Sequence, residues 1–129
     1  MPVVNQIEVH RYFRNDAARA ACANYGIAVE AWSPLGHGSV LEDPTIAVIA
    51  ADHDKTAAQV ILRWQIQHGH IVIPKTRQRQ RMEENIRIFD FELSADDMAA
   101  IDDLDRGEEG RTGPNPDTYD RPRLAYCKF

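Results

Sequence analysis

The sequence predicts an α/β fold built on a parallel sheet, and three observations carry that prediction. Strand-like and helix-like runs alternate along the chain, the order that right-handed crossovers turn into parallel strands. Most helix-like runs are bounded by residues that start or stop a helix. The strand-like runs end in polar residues, and in such sheets function gathers at the carboxyl ends of the strands. A chain of 129 residues suits one domain, and its 43% apolar and 27% charged residues are those of a soluble globular protein.

The elements follow in order. Residues 3–9 read as a strand. Asn15 is placed to cap a helix running to Tyr25, with Gly26 stopping it at the C′ position. Residues 27–32 read as a second strand with AVEAW at its centre, followed by the Gly- and Pro-rich loop SPLGHGSVLEDP. Residues 45–51 form a short helical run. Thr56 opens the next helix with Gln59 three residues on, a capping-box pattern. Ala57, Val60, Ile61 and Trp64 share one face of that helix and Gly69 ends it. Residues 71–73 are the third strand and 79–88 the helix after it. Ser94 caps a final helix whose apolar stripe is Met98, Ile101 and Leu104. Beyond Asp105 the composition shifts to Gly, Pro, Asp and Arg, and the segment reads as loop or tail.

The formal charge of −5 argues against nucleic acid as a partner, since no basic face dominates the chain. No apolar run approaches the roughly 18 residues of a membrane span. The N-terminus MPVVNQIEVH is a strand pattern and not a signal peptide. Cys22 and Cys127 give no disulfide framework; Cys22, in an Ala-rich helix, reads as a small buried thiol, and a reduced, cytoplasmic setting is expected. No Cys/His cluster has metal-ligand spacing. His68 and His70, which bracket a glycine at a helix end, read as surface residues.

Against the acidic background one run is basic: IVIPKTRQRQRMEEN, with Lys75, Arg77, Arg79 and Arg81 within seven residues. A strand that empties into a basic loop and a helix N-terminus offers unpaired amides, a favourable dipole and cations to a phosphate. The plainer reading is a solvated helix face, with Arg79 paired to Glu83 at i,i+4. The other strand ends add Gln6, Glu8 and His10, then Trp32 and Ser33. An aromatic face beside amide and hydroxyl groups suits a flat polar ring, and the basic loop suits its phosphates, which together make a nucleotide site. The plainer readings there are that Gln6 and Glu8 satisfy backbone groups and that Trp32 is core.

The segments VVNQIEVH, GIAVEAWSPLG, KTAAQVILRW, VIPKT…R…EN, FDFELSADDMAAID and RTGPNPDT resemble the aldo-keto reductase family, nearest its diketogluconate-reductase branch, over about residues 3–117. The resemblance implies the C-terminal part of a (β/α)8 TIM barrel, from about the sixth strand onward over residues 1–109, with part of a substrate loop and a tail over 110–129. It implies NADPH as cofactor and an aldehyde or ketone as substrate. By position, Gln6 is expected to hydrogen-bond the nicotinamide carboxamide and Trp32 to stack on its ring. Ser33, Leu35 and Gly36 would line the loop over the pyrophosphate. Lys75, Thr76 and Arg81 would clamp the adenosine 2′-phosphate with help from Arg77, and Glu84 and Asn85 would hold the adenine. Arg11 departs from the family, in which Pro usually follows the His10 position.

The family's catalytic Asp, Tyr, Lys and His all lie on earlier strands, so the resemblance places none of them in this chain. Tyr12, Tyr25, Tyr119 and Tyr126 stand at the wrong places to be the proton donor. Three parallel strands cannot close a barrel of about eight. Open edges and an uncovered inner face are therefore expected, with association to cover them. A fragment of a larger polypeptide, a truncated frame whose product self-associates, and a chain completed by another each satisfy this. The activity alternative is a catalytically inactive nucleotide-binding or self-assembling α/β module.

Overall fold

In a computed structural model that describes residues 1–35 and 42–119, three parallel strands stand in the order β1 (Val4–Glu8), β2 (Ala28–Trp32), β3 (Ile71–Val72). The register pairs Gln6 with Glu30, Glu8 with Trp32 and Glu30 with Ile71. Because side chains alternate along a strand, Gln6, Glu8, Glu30, Trp32 and Ile71 share one face. The other face carries Ile7, Val29 and Ala31. It buries them, with Val9, against Cys22 of α1 (Asp16–Asn24). Among the described residues nothing covers the lower part of the polar face: Val4 and Ile71 are exposed on it, and Ile73, just past β3, is 60% exposed.

The remaining helices are α2 (Pro44–Asp52), α3 (Ala57–Gln67), α4 (Arg79–Ile86) and α5 (Ala95–Asp102), with a 3-10 turn at Gly107–Gly110. A second core joins Ile46, Ile49 and Ala50 of α2 to Val60, Ile61 and Trp64 of α3, to Ile101 of α5, and to Leu93, which precedes α5. Trp64 is fully buried, so its indole N–H needs an acceptor; it donates to Asp102 Oδ1 at 2.8 Å. The expected capping box forms at α3, and the Ser94 cap of α5 is part of a second one. Thr56 accepts from Gln59 N and Gln59 Oε1 accepts from Thr56 N, and Ser94 and Asp97 repeat the exchange at α5. Gly26 and Gly69 take the positive φ of 65° and 77° that a helix end demands.

Four expectations need correction. Asn15 stands at the start of α1, but with φ 52° its side chain makes no cap; its amide instead donates to Glu8 O at 3.2 Å. β3 pairs only at Ile71 and Val72, with β2 its one partner among the described residues, and Pro74 follows directly after Ile73. α4 stops at Ile86, short of 88, where Gln59 Nε2 donates to the carbonyls of Glu84 and Arg87, both at 3.0 Å. His70 is not a surface residue, and His68 is only partly exposed. His70 is 6% exposed, its Nδ1–H donates to Gln65 Oε1 at 2.6 Å, and its Nε2 accepts from Arg19 Nε at 3.1 Å. His68 lies between Arg19 Nη2 at 3.3 Å and Asp102 Oδ1 at 2.9 Å. Burial, then the charges of Arg19 and His68, push the His70 pKa down to about 4.

Cys22 is buried and free, as its setting implied. Among the described residues no helix is long and apolar enough to cross a membrane, and no group of His, Cys, Asp and Glu could hold a metal ion.

Candidate functional site

Parallel strands point their carboxyl ends the same way, so Glu8, Trp32 and the Pro74–Arg77 loop after β3 reach one rim of the sheet. Six of the expected residues meet there. Leu35, Lys75, Thr76, Arg81, Glu84 and Asn85 line a single cavity of about 290 Å3, whose far wall is Thr56, Ala57 and Ala58 at the start of α3. The volume is close to the roughly 300 Å3 at which small-ligand pockets begin.

Local sequence explains how this cavity is built. Pro74 cannot continue β3 as a hydrogen-bonded strand, and Thr76 Oγ1 accepts from Gln78 N at 3.2 Å, turning the chain into α4. The first turn of α4 holds no acidic residue. Its amides lack intrahelical partners, so it favours an anion. Within α4, Arg79 pairs with Glu83 at 3.1 Å and is 92% exposed, the plain solvated-face arrangement. Lys75, Arg77 and Arg81 form no ion pair among the described residues. Two of those cations, Lys75 and Arg81, line the cavity, whereas Arg77 is exposed outside its lining. Glu84 accepts from Gln80 Nε2 at 2.8 Å. The Asn85 side-chain amide has no hydrogen-bond partner among the described residues. Gln59, by holding the Glu84 and Arg87 carbonyls, fixes the end of α4 against α3.

The other expected residues stand along the rim on β1 and β2. Gln6 is exposed and its side-chain amide donates to Glu30, its register partner. Trp32 is half-buried, and Ser33, directly after it, takes φ 53° as the chain leaves β2. Gly36 lies outside the described residues. Trp32 is therefore not a core residue; the core tryptophan is Trp64.

Two residues gain a place that the sequence did not assign. Glu8 does satisfy backbone groups, but distant ones: it accepts from Thr112 N and Oγ1, both at 2.6 Å, and from Gly113 N at 2.9 Å. Burial alone would raise its pKa. The hydrogen bonds from the Thr112 side chain and backbone, His10 and Gly113 outweigh burial and hold the carboxyl below its ordinary value. Arg11 is fully buried, 3.7 Å over the Tyr12 ring and 3.5 Å from Asp43 Oδ2, while Arg106 stands 3.8 Å from the same Tyr12 ring. A Pro at position 11 could supply neither contact. The advance signals were a charged residue at a strand end for Glu8 and the departure from the family's Pro for Arg11.

A second concavity has another character. It measures about 560 Å3, lies at the free edge of β3, and is lined by apolar Ile71, Met82, Ile86, Ile88 and Phe89 among others. Phe89 and Ile86 are 67% and 70% exposed.

Known proteins share this architecture. The chain is 51% identical over 119 residues to an aldo-keto reductase of Mycobacterium sp. (strain KMS) and 49% identical over 116 residues to a glyoxal reductase of Bacillus subtilis (strain 168). Those matches take in 92% and 90% of this chain but 42% and 41% of the relatives. The solved structure of a variant of Gox0644 in complex with NADPH superposes with a TM-score of 0.91 at 47% identity, over 94% of this chain and 44% of that one. The chain thus spans less than half the length of the relatives it matches, and its three strands are part of their (β/α)8 barrel. The sequence model of the Aldo/keto reductase family matches residues 1–106, and the chain belongs to that family.

Proposed function

We propose that this chain is the cofactor-binding part of an NADPH-dependent reductase of aldehydes or ketones. The observation that carries the reading is the meeting of Lys75, Thr76, Arg81, Glu84, Asn85 and Leu35 on one cavity, with both of its cations unpaired. Those residues fit the adenosine end of a phosphorylated dinucleotide. Lys75 offers a point charge and Arg81 a planar fork to a 2′-phosphate. Asn85 offers a free amide to a purine edge, and Leu35 an apolar wall. Trp32, with Gln6 and Ser33 beside it, gives an aromatic platform on the same rim for the nicotinamide end. The cofactor, when bound, supplies hydride for a carbonyl carbon. Support from outside the chain comes from the NADPH complex of the related structure.

The residues present bind and orient; the family's proton-donating set belongs to segments that this chain does not match. Activity therefore requires a polypeptide carrying the other strands, and the exposed edge at Ile71, Ile73, Ile86 and Phe89 is where it would pack. That same apolar edge favours a second reading, a non-catalytic nucleotide-binding module that covers itself by self-association. Three measurements separate these. Titration with NADPH and NADH should give clearly tighter NADPH binding; equal affinities sink the 2′-phosphate assignment. NADPH oxidation with an aldehyde should be negligible for the chain alone and appear on adding the remaining barrel segments. A sizing measurement that finds a stable monomer contradicts the need for a covering partner.

A further inference from the structure

Glu8 closes β1 at 3% exposure beside Trp32, its register partner on β2. A buried carboxylate is costly unless it is hydrogen-bonded. Its donors are His10 Nε2 at 2.9 Å, Thr112 N, Thr112 Oγ1 and Gly113 N. Three of the four come from one segment, 104 to 105 residues away in sequence. If that segment lifted, Glu8 would keep a single protein donor, His10.

The segment also touches the aromatic platform. A Cβ added to Gly113 would stand 2.3 Å from Trp32 Cη2 and 2.8 Å from Glu8 Oε2. The Gly113 backbone therefore rests directly on the outer edge of the indole. Behind it, Gly110 packs on the Tyr12 carbonyl, where a Cβ would stand 1.6 Å away, and Arg106 N donates to that same carbonyl at 2.9 Å. Arg111 stands 4.3 Å over the Phe13 ring. The strand end, the ring and the C-terminal segment form one contact set, and Glu8 accepts the hydrogen bonds that Thr112 and Gly113 make to it.

We propose that Glu8 is a positioning residue. Its carboxylate docks the Thr112–Gly113 backbone on the Trp32 indole and so sets the pose in which that ring receives the nicotinamide end of the cofactor. This rests on the cofactor reading above. It assigns the C-terminal segment a part in cofactor binding through Trp32, separate from any contact with substrate.

Glu8→Gln keeps the size of the side chain but offers one acceptor oxygen where the carboxylate offers two. Gly113→Ala is an independent perturbation in an exterior segment, which lifts the backbone off the ring with Glu8 intact. The first measurement is acrylamide quenching of the ligand-free chain, in which fully buried Trp64 is shielded and Trp32 is reached. Both variants should quench more readily than wild type. The second compares NADPH with adenosine 2′,5′-bisphosphate, which carries only the adenosine end. NADPH should weaken by about tenfold, equivalent to roughly 1.4 kcal/mol, while the bisphosphate stays within about twofold. Unchanged quenching in both variants overturns the proposal, and so does an equal loss for both ligands. Should Glu8→Gln fail to fold, Gly113→Ala decides by the same outcomes. If the wild-type chain binds neither ligand, the cofactor reading fails, and the quenching arm alone decides whether Glu8 sets the ring's pose.

Discussion

Acidification should destabilise this chain well before its carboxylates titrate, because His70 is built into the fold as a neutral ring. Its Nδ1–H is given to Gln65 and its Nε2 lone pair takes the Arg19 guanidinium proton, so a second proton has no acceptor and faces a cation. The groups around it are Arg19 and Asp16 of α1, His68 at the end of α3, and Asp102 of α5. The folded pKa is about 4 against an ordinary 6.5. The sign follows directly: a base whose folded pKa is depressed favours folding above 6.5, and that stability drains away as pH falls from 6.5 toward 4. The full difference is about 3 kcal/mol, of which about 2 kcal/mol is lost between about pH 7.5 and about pH 5. For a chain of this size that lowers Tm by roughly 6–10 °C. Glu8 and Asp97 are held below their ordinary values of 4.5 and 3.8, so they contribute at lower pH and leave this window clear. Thermal melts across the range, repeated on His70→Asn, make the assay. A variant that loses as much stability as the wild type on acidification refutes the reasoning, as does an NMR titration placing His70 near 6.5.

Three more outcomes follow from the site. Lys75→Ala or Arg81→Ala removes a charge-assisted hydrogen bond of about 1.5–3 kcal/mol, so Kd for NADPH should rise about ten- to a hundredfold with NADH unaffected, read by fluorescence titration. Gln59→Ala opens the capping box of α3 and frees the Glu84 and Arg87 carbonyls; urea unfolding should show a loss of about 2 kcal/mol. Gly110→Ala drives a Cβ into the Tyr12 carbonyl, so limited proteolysis around Arg111 should speed up while the helical circular dichroism is retained.

What could be read in advance was whatever a few neighbouring residues decide. The Thr56–Gln59 box, the Ser94 cap, the helix stops at Gly26 and Gly69, and the turn from Pro74 into α4 are local, and their residue types announce them. The grouping of Lys75, Thr76, Arg81, Glu84 and Asn85 was legible for the same reason: all five come from one strand-end loop and the helix after it. What stayed hidden depends on partners far away in sequence. Asn15 does not cap because Glu8 O claims its side chain. His68 and His70 look like surface residues until Arg19 and Asp102 arrive from α1 and α5. Glu8 looked like a group to be satisfied, and it is. Only the fold reveals that what satisfies it is a segment 104 residues onward.

That separation sets an order of assembly. On a ribosome, Glu8 emerges 104 residues before Thr112, so its carboxylate waits through all of that synthesis for three of its four donors. Closing so long a loop before the intervening elements fold is entropically unfavourable. The helices and sheet therefore form first, and the platform at Trp32 is the last piece set in place. A nascent chain stalled before Thr112 would carry the Lys75–Arg81 cavity complete but leave the indole edge bare. The grip on a phosphate would precede the seat for a ring.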